Sequence, residues 1–202
     1  MSLFLPESLV TTNVPAESVA SFFLQRDAER ADADVTQMKL HKLMYYAQGS
    51  YLASTGRRLF DSSLEAFEHG PVVEDVRNIY NQYGRDIIVV ADSTATIPSG
   101  EFAPLPSDVE EYLERIWRKF GDFSASHLRA MSHKDAPWKD NYKSDGFHCN
   151  IPDEEIAAWF RSENAKDKYV PLPNQFLVDE EIWNSLDDED DEEFLSQWVK
   201  NF

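Results

Sequence analysis

"TQMKLHKLMYYAQGSYLASTG", residues 36–56, carries Leu40, Leu43, Met44, Ala47 and Tyr51 at i, i+3, i+4, i+7 and i+11, the recurrence of a helix with an apolar face. Thr36 stands where an N-cap hydroxyl accepts a first-turn N–H, and Gly56 where a left-handed residue ends a helix. The spacing therefore predicts one long helix. Off its apolar face, Lys39, Lys42 and Tyr46 form an i, i+3, i+7 stripe, which reads either as an ordinary solvated face or as a partner-contact strip. Residues 35–60 hold Lys39, Lys42, Arg57 and Arg58 and no acid. Such an island suggests a surface for an acidic partner, or for the protein's own tail.

Working outward, Pro15 suits the first turn of a helix running to about Arg30, with Val19, Phe22 and Phe23 on one side. On the other flank, residues 64–67 are too few for a helix and read as a strand or connector. "FEHGPVVEDVRNIYNQYG", residues 67–84, places Gly70 as a bend and Pro71 at a first helical position, followed by Val72, Val76, Ile79, Tyr80 and Tyr83 at helical spacing. His69 is then a turn residue, not a catalytic one. "DIIVVA", residues 86–91, is apolar and β-branched and predicts a strand pairing with residues 64–67.

Further on, Ser107 and Glu110 have capping-box spacing before Val109, Leu113, Ile116, Trp117 and Phe120, and Gly121 ends that helix. Ser124 caps a shorter helix that must end before Pro137, Pro152 opens another, and "YVPLPNQFLV" reads as extended. The expected fold is mainly α: a single helical domain over residues 1–178 with at most a two- or three-stranded sheet, followed by an acidic extension over residues 179–202.

With 37 acids against 19 Lys and Arg, the chain has a net charge of -18, and residues 179–202 alone contribute ten acids and one Lys. Such a charge repels phosphate backbones and argues against direct nucleic-acid binding. A single Cys, Cys149, leaves no internal disulfide and fits a reducing compartment. No run is long enough to cross a bilayer and no basic, apolar leader opens the chain, so a soluble cytoplasmic protein without a membrane partner is expected.

Chemistry finds little support. Cys149 and His148 are neighbours in sequence, which brings no nucleophile to a base, and no G-x-S-x-G elbow or phosphate-cradling glycine loop is present. His41, His69, His127, His133 and His148 include no i, i+4 pair, so no metal site is expected, and His133 reads as a helix-terminal imidazole bonded to backbone. The tail couples its acids to Ile182, Trp183, Leu186, Phe194, Leu195, Trp198 and Phe202, which suits two short amphipathic helices or a set of carboxylates spaced like DNA phosphates.

Lys42, Leu43, Tyr45, Tyr46 and Gln48, then Gly56, Arg57, Leu59 and Phe60, then Ala66, Gly70, Pro71 and Val72 together resemble the opening block of the Panacea domain. This SocA-like antitoxin family also includes phage-associated, GepA-like proteins. "SASHLRAMSHKDAPW", with His133 and Trp138, resembles its second block, and the likeness runs over about residues 16–160. The resemblance implies a small helical fold, no cofactor, no enzymatic activity and a cognate toxin as partner, with a protease or chaperone as a further partner class. The expected function is neutralisation of a toxin through a protein–protein interface, placed on Lys39, Lys42, Tyr45, Tyr46, Arg57 and Arg58. The alternative is an acidic nucleic-acid mimic that inhibits a DNA-binding protein.

Overall fold

The computed structural model describes residues 13–89, 103–144 and 148–173 in full, together with the backbone of residues 2–4 and 176–178. In chain order the elements are β1 (Ser2–Phe4), α1 (Ala16–Ala28), α2 (Gln37–Thr55), β2 (Leu64–Phe67), β3 (Gly70–Val73) and α3 (Glu74–Tyr80). They continue with α4 (Ser107–Phe120), α5 (Ala125–Ser132), α6 (Ala136–Asn141), β4 (Cys149–Asn150), α7 (Asp153–Arg161) and β5 (Phe176–Val178). The chain divides into a large unit, Leu9–Pro173, and a small one formed by Met1–Ser8 with Asn174–Phe202. In the small unit β1 and β5 pair antiparallel, Leu3 opposite Leu177. The tail read as two amphipathic helices, residues 179–202, lies outside the described residues.

The protein is mainly α, with one small antiparallel sheet of order β3-β2-β4 in its large unit. α2 is its axle. Thr36 caps it by accepting the Lys39 N–H, and Gly56 ends it at φ 69° with its N–H on the Leu52 carbonyl. From Lys39 to Ser54 each residue of α2 is buried, because α1, α4, α5, α7 and β3 all pack against it. Aromatic side chains fill the joints: Tyr46 stacks on Phe120 of α4 at 4.5 Å, Tyr45 meets Phe160 of α7 edge-on at 5.5 Å, and Tyr51 meets Tyr112 of α4 at 5.5 Å. Gly49 lets α7 approach, since a Cβ there would stand 2.2 Å from Cε2 of Phe160.

Three local expectations are corrected. Gly70 and Pro71 do not begin a helix: they form β3, paired with β2 through a two-residue turn, Glu68 and His69, so that Phe67 faces Gly70 and Leu64 faces Val73. Gly70 sits at φ 104°, a conformation L side chains rarely adopt, and the helix waits until Glu74. "DIIVVA" is not the partner of β2: the tight hairpin puts β3 on one edge of that strand and β4 takes the other. Ile87 makes only an isolated bridge to Thr36, Ile88 N–H bonds the Val35 carbonyl at 2.9 Å, and residues 90 and 91 lie outside the described set. Ser107 is the first residue of α4, not its cap: the Pro106 carbonyl takes the Glu110 N–H at 3.0 Å and starts the helix one residue earlier.

Other helix signals fall where expected, to within two residues. α1 starts after Pro15, Ser124 caps α5 through the His127 N–H, and α7 follows Pro152 with three acids in its first turn. Pro137 does more than stop α5, since it lies in the first turn of a further short helix, α6. No helix among the described residues is long and apolar enough to cross a membrane.

Replacing an exposed helical glycine by alanine normally adds about 1 kcal/mol of stability. At Gly49 the clash with Phe160 should reverse that sign, and Gly49→Ala is expected to destabilise by about 1–3 kcal/mol. A lowered urea midpoint, partly restored in the Gly49→Ala/Phe160→Leu double variant, would show it.

Candidate functional site

The polar side of α2 is a sealed seam. Lys39 and Lys42 are 0% and 1% exposed, and Tyr45 and Tyr46 are fully buried, so the solvent-facing strip expected of these residues is corrected. Periodicity marks which face of a helix is apolar; it does not show that the polar face is covered too. Three of these head groups, and Gln48 with them, meet a backbone group of a neighbouring segment. Lys39 Nζ donates to the Gly121 carbonyl at the end of α4 at 2.6 Å and to Asp34 at 2.5 Å, where a cation also suits the helix dipole. Tyr46 donates its hydroxyl to the Leu128 carbonyl at 3.4 Å. Gln48 Oε1 accepts from the N–H groups of Leu59 and Phe60 at 3.0 and 3.3 Å, fixing the turn after Gly56.

Lys42 holds the hairpin. Its Nζ donates to the Pro71 carbonyl at 2.9 Å, and its chain crosses so close over Gly70 that a Cβ there would lie 2.5 Å from Lys42 Cε. Lys42, Gly70 and Pro71 thus act as one joint. Burial, helped by Arg129, pushes the Lys42 ammonium down to about 7. His41 beside it accepts the Val73 N–H on Nδ1 at 3.4 Å, and burial, with Lys42 and Arg77 adding to it, lowers its pKa to about 3.

The far end of the hairpin is pinned by α6. Trp138 donates its indole N–H to the Phe67 carbonyl at 2.8 Å, and the His133 ring stacks on Trp138 at 3.9 Å. His133 ends α5; burial, Arg129 and Lys42 hold its pKa below the ordinary value. Asp135, also buried, pairs with Lys168 and lies beside the Tyr45 hydroxyl. His69 occupies the exposed hairpin turn. Cys149 is half-buried in β4 opposite Ala66, while the His148 ring stacks on Phe67 at 3.5 Å. Among the described residues no hydrogen bond joins His148 to Cys149, and no group of three or more His, Cys, Asp or Glu has metal-binding geometry.

Arg57 is exposed at the turn after α2, and Arg58 is half-exposed with its Nε on Asp153 at 2.5 Å. These two are the members of the expected partner set that reach solvent.

A cavity of about 830 Å³ opens where the start of α2, the hairpin, α3 and the start of α5 converge. Lys42 and His41 line it from within, and Arg77, Arg85, His69 and His148 stand around them with Glu68 as the one acidic lining residue. Arg77, Arg85, Ser124 and Ser126 had no functional reading in the sequence. The signal was thin: Ser124 could be recognised as a cap, but nothing in the spacing says that its helix would face the hairpin.

Residues 40–139 match the antitoxin SocA-like, Panacea domain family. Antitoxin SocA of Caulobacter vibrioides is 33% identical over 131 residues, which cover 62% of this chain and 69% of that protein. The chain belongs to the SocA-like, Panacea-domain antitoxin family. No solved structure matches it. The matched segment runs from α2 into α6, so it contains the Lys42–Pro71 joint, the Gln48 clamp and the Trp138 pin together. In this Panacea domain Gln48, Gly70, Pro71, His133 and Trp138, residues on which the sequence resemblance rests, are each bonded or stacked within the fold.

His41 yields a signed pH effect. Its folded pKa of about 3 lies below the ordinary 6.5, so between those values the unfolded chain binds a proton that the folded one refuses, and stability falls as pH drops through the window. His41→Asn keeps an acceptor for the Val73 N–H but cannot titrate. Urea unfolding between pH 6 and 4 should show the wild type losing up to about 1.4 kcal/mol per pH unit more than this variant.

Proposed function

We propose that this chain is a non-catalytic antitoxin that neutralises a cognate toxin by binding it as a folded protein. The observation that carries this reading is the 33% identity over 131 residues to a protein named antitoxin SocA. The interior supports it. Lys42, Gln48, Pro71 and Trp138 are engaged in holding α2, the hairpin and α6 together, which would leave the outer faces free to differ with the partner. Binding through such a surface needs no cofactor and no reacting group, and a protease or chaperone that acts on the complex would be a further partner. The complex would form in the cytoplasm.

Within the expected partner set the roles separate by burial. Lys39, Lys42, Tyr45 and Tyr46 would act by maintaining the shape of the interface, and Arg57 and Arg58 by touching the partner. Charge reversal at Lys42 would bury an unpaired carboxylate against the Pro71 carbonyl, a change expected to unfold the domain. Arg57→Glu should leave far-UV circular dichroism unchanged and alter binding by under about 1 kcal/mol, as for a rim contact.

The direct test uses the candidate toxin, sought as a small protein encoded beside this one. Expressed alone it should arrest growth, and co-expression with the antitoxin should relieve the arrest. The two purified proteins should co-elute at a fixed molar ratio in size-exclusion chromatography. Relief of the arrest by far less than one equivalent of purified antitoxin, with no complex formed, would point to catalysis and sink the reading.

A further inference from the structure

The cavity between α2, the hairpin, α3 and α5 presents hydrogen-bond donors that the chain leaves without acceptors. His41 lines it and is 4% exposed. Because Nδ1 accepts the Val73 N–H, the ring proton sits on Nε2, and Nε2 has no partner among the described residues. Lys42, 1% exposed, has three N–H donors and gives one to the Pro71 carbonyl. Arg77 lies with its guanidinium 5.3 Å from the Phe67 ring, and Arg85 is exposed nearby.

The opposite wall is the start of the eight-residue helix α5. The Ser124 hydroxyl already accepts the His127 N–H, but the N–H groups of Ala125 and Ser126 have no intrahelical acceptor, and the helix dipole places positive potential there. All these groups ask for an acceptor with negative charge. Met38, Phe67, Val72 and Ala125 add an apolar wall, and about 830 Å³ is far more than one carboxylate or phosphate fills. The complement is an anion carried on an apolar body. A chain of net charge -18 repels long polyanions, which favours a short acidic stretch over a nucleic-acid backbone.

We propose that this cavity receives an acidic segment of the bound partner protein, with one Asp or Glu carboxylate set among His41, Lys42, Arg77 and the start of α5 and an adjacent apolar side chain against Phe67 and Val72. The inference rests on the protein-binding reading above and assigns that reading its anchor.

The probe is a blocked tetrapeptide, acetyl-Asp-Phe-Asp-Leu-amide, titrated into the full-length ¹⁵N-labelled protein, with its Asn-for-Asp counterpart as control. Saturable shifts are expected at the amides of His41, Phe67, Val72, Val73 and residues 124–126, at least tenfold weaker with the control. Arg77→Glu combined with Ser126→Asp alters two solvent-accessible positions. With circular dichroism unchanged, this double variant should lose the peptide at least tenfold and also lose co-elution with the neighbouring gene's product. Equal binding of the Asn control, scattered shifts, or displacement of the peptide by equimolar inorganic phosphate would overturn the inference. If the double variant loses the peptide yet holds the neighbouring protein as the wild type does, this anchor is wrong and the antitoxin reading stands. If the wild type fails to hold that protein at all, the antitoxin reading falls and the anchor falls with it.

Discussion

A lysine amine buried against a carbonyl seats the hairpin on the central helix. Lys42 carries its amine into the centre of the protein and donates from it to the Pro71 carbonyl, with no carboxylate paired to it among the described residues, an arrangement that desolvation disfavours strongly enough to lower its pKa to about 7. The arrangement persists because the carbonyl belongs to β3 and would otherwise be buried without a donor. From that contact follow the absence of a side chain at Gly70, the seating of the hairpin on α2, and the position of the Phe67 carbonyl that Trp138 reaches from α6. Lys39 at Gly121 and Gln48 at Leu59 and Phe60 repeat the principle at other points along the helix. One helix thereby gathers the open backbone groups of its neighbours.

The helices were legible because their signals are local. Thr36, Gly56 and Ser124 act within one turn of their own positions, and apolar recurrence marks α2, α4 and α7 whatever surrounds them. The misreadings share a cause. Gly70 and Pro71 suit a helix start as well as a strand, and what decides between them is Lys42, 29 positions away. The 86–91 stretch has strand composition, but β3 and β4 take the two edges of β2. The Lys39, Lys42 and Tyr46 stripe looked like a surface because its chemistry is that of a surface. The cavity was illegible for the same reason, being assembled from four elements that no spacing rule connects.

The described interior divides its polar groups into two kinds. Gln48, Gly70, Pro71, His133 and Trp138 are committed to internal contacts, and among the described residues the groups left with unused bonding capacity, His41 Nε2 above all, lie where the framework elements meet. A framework of this kind can keep its joints while its outer surface changes.

The order of the small sheet bears on how the chain is made. β2 is its middle strand: one edge pairs with β3 across a two-residue turn, while the other waits for β4, in which Cys149 faces Ala66 from 83 positions further along. Hairpins close in microseconds, whereas a ribosome adding 5–20 residues per second needs roughly 4 to 15 s after Val73 to reach the third strand. During that interval the emerging chain carries a half-finished sheet with an open edge, the kind of template that recruits other chains. The shortness of β2, four residues with Glu65 among them, limits that hazard before any fold exists to cover it.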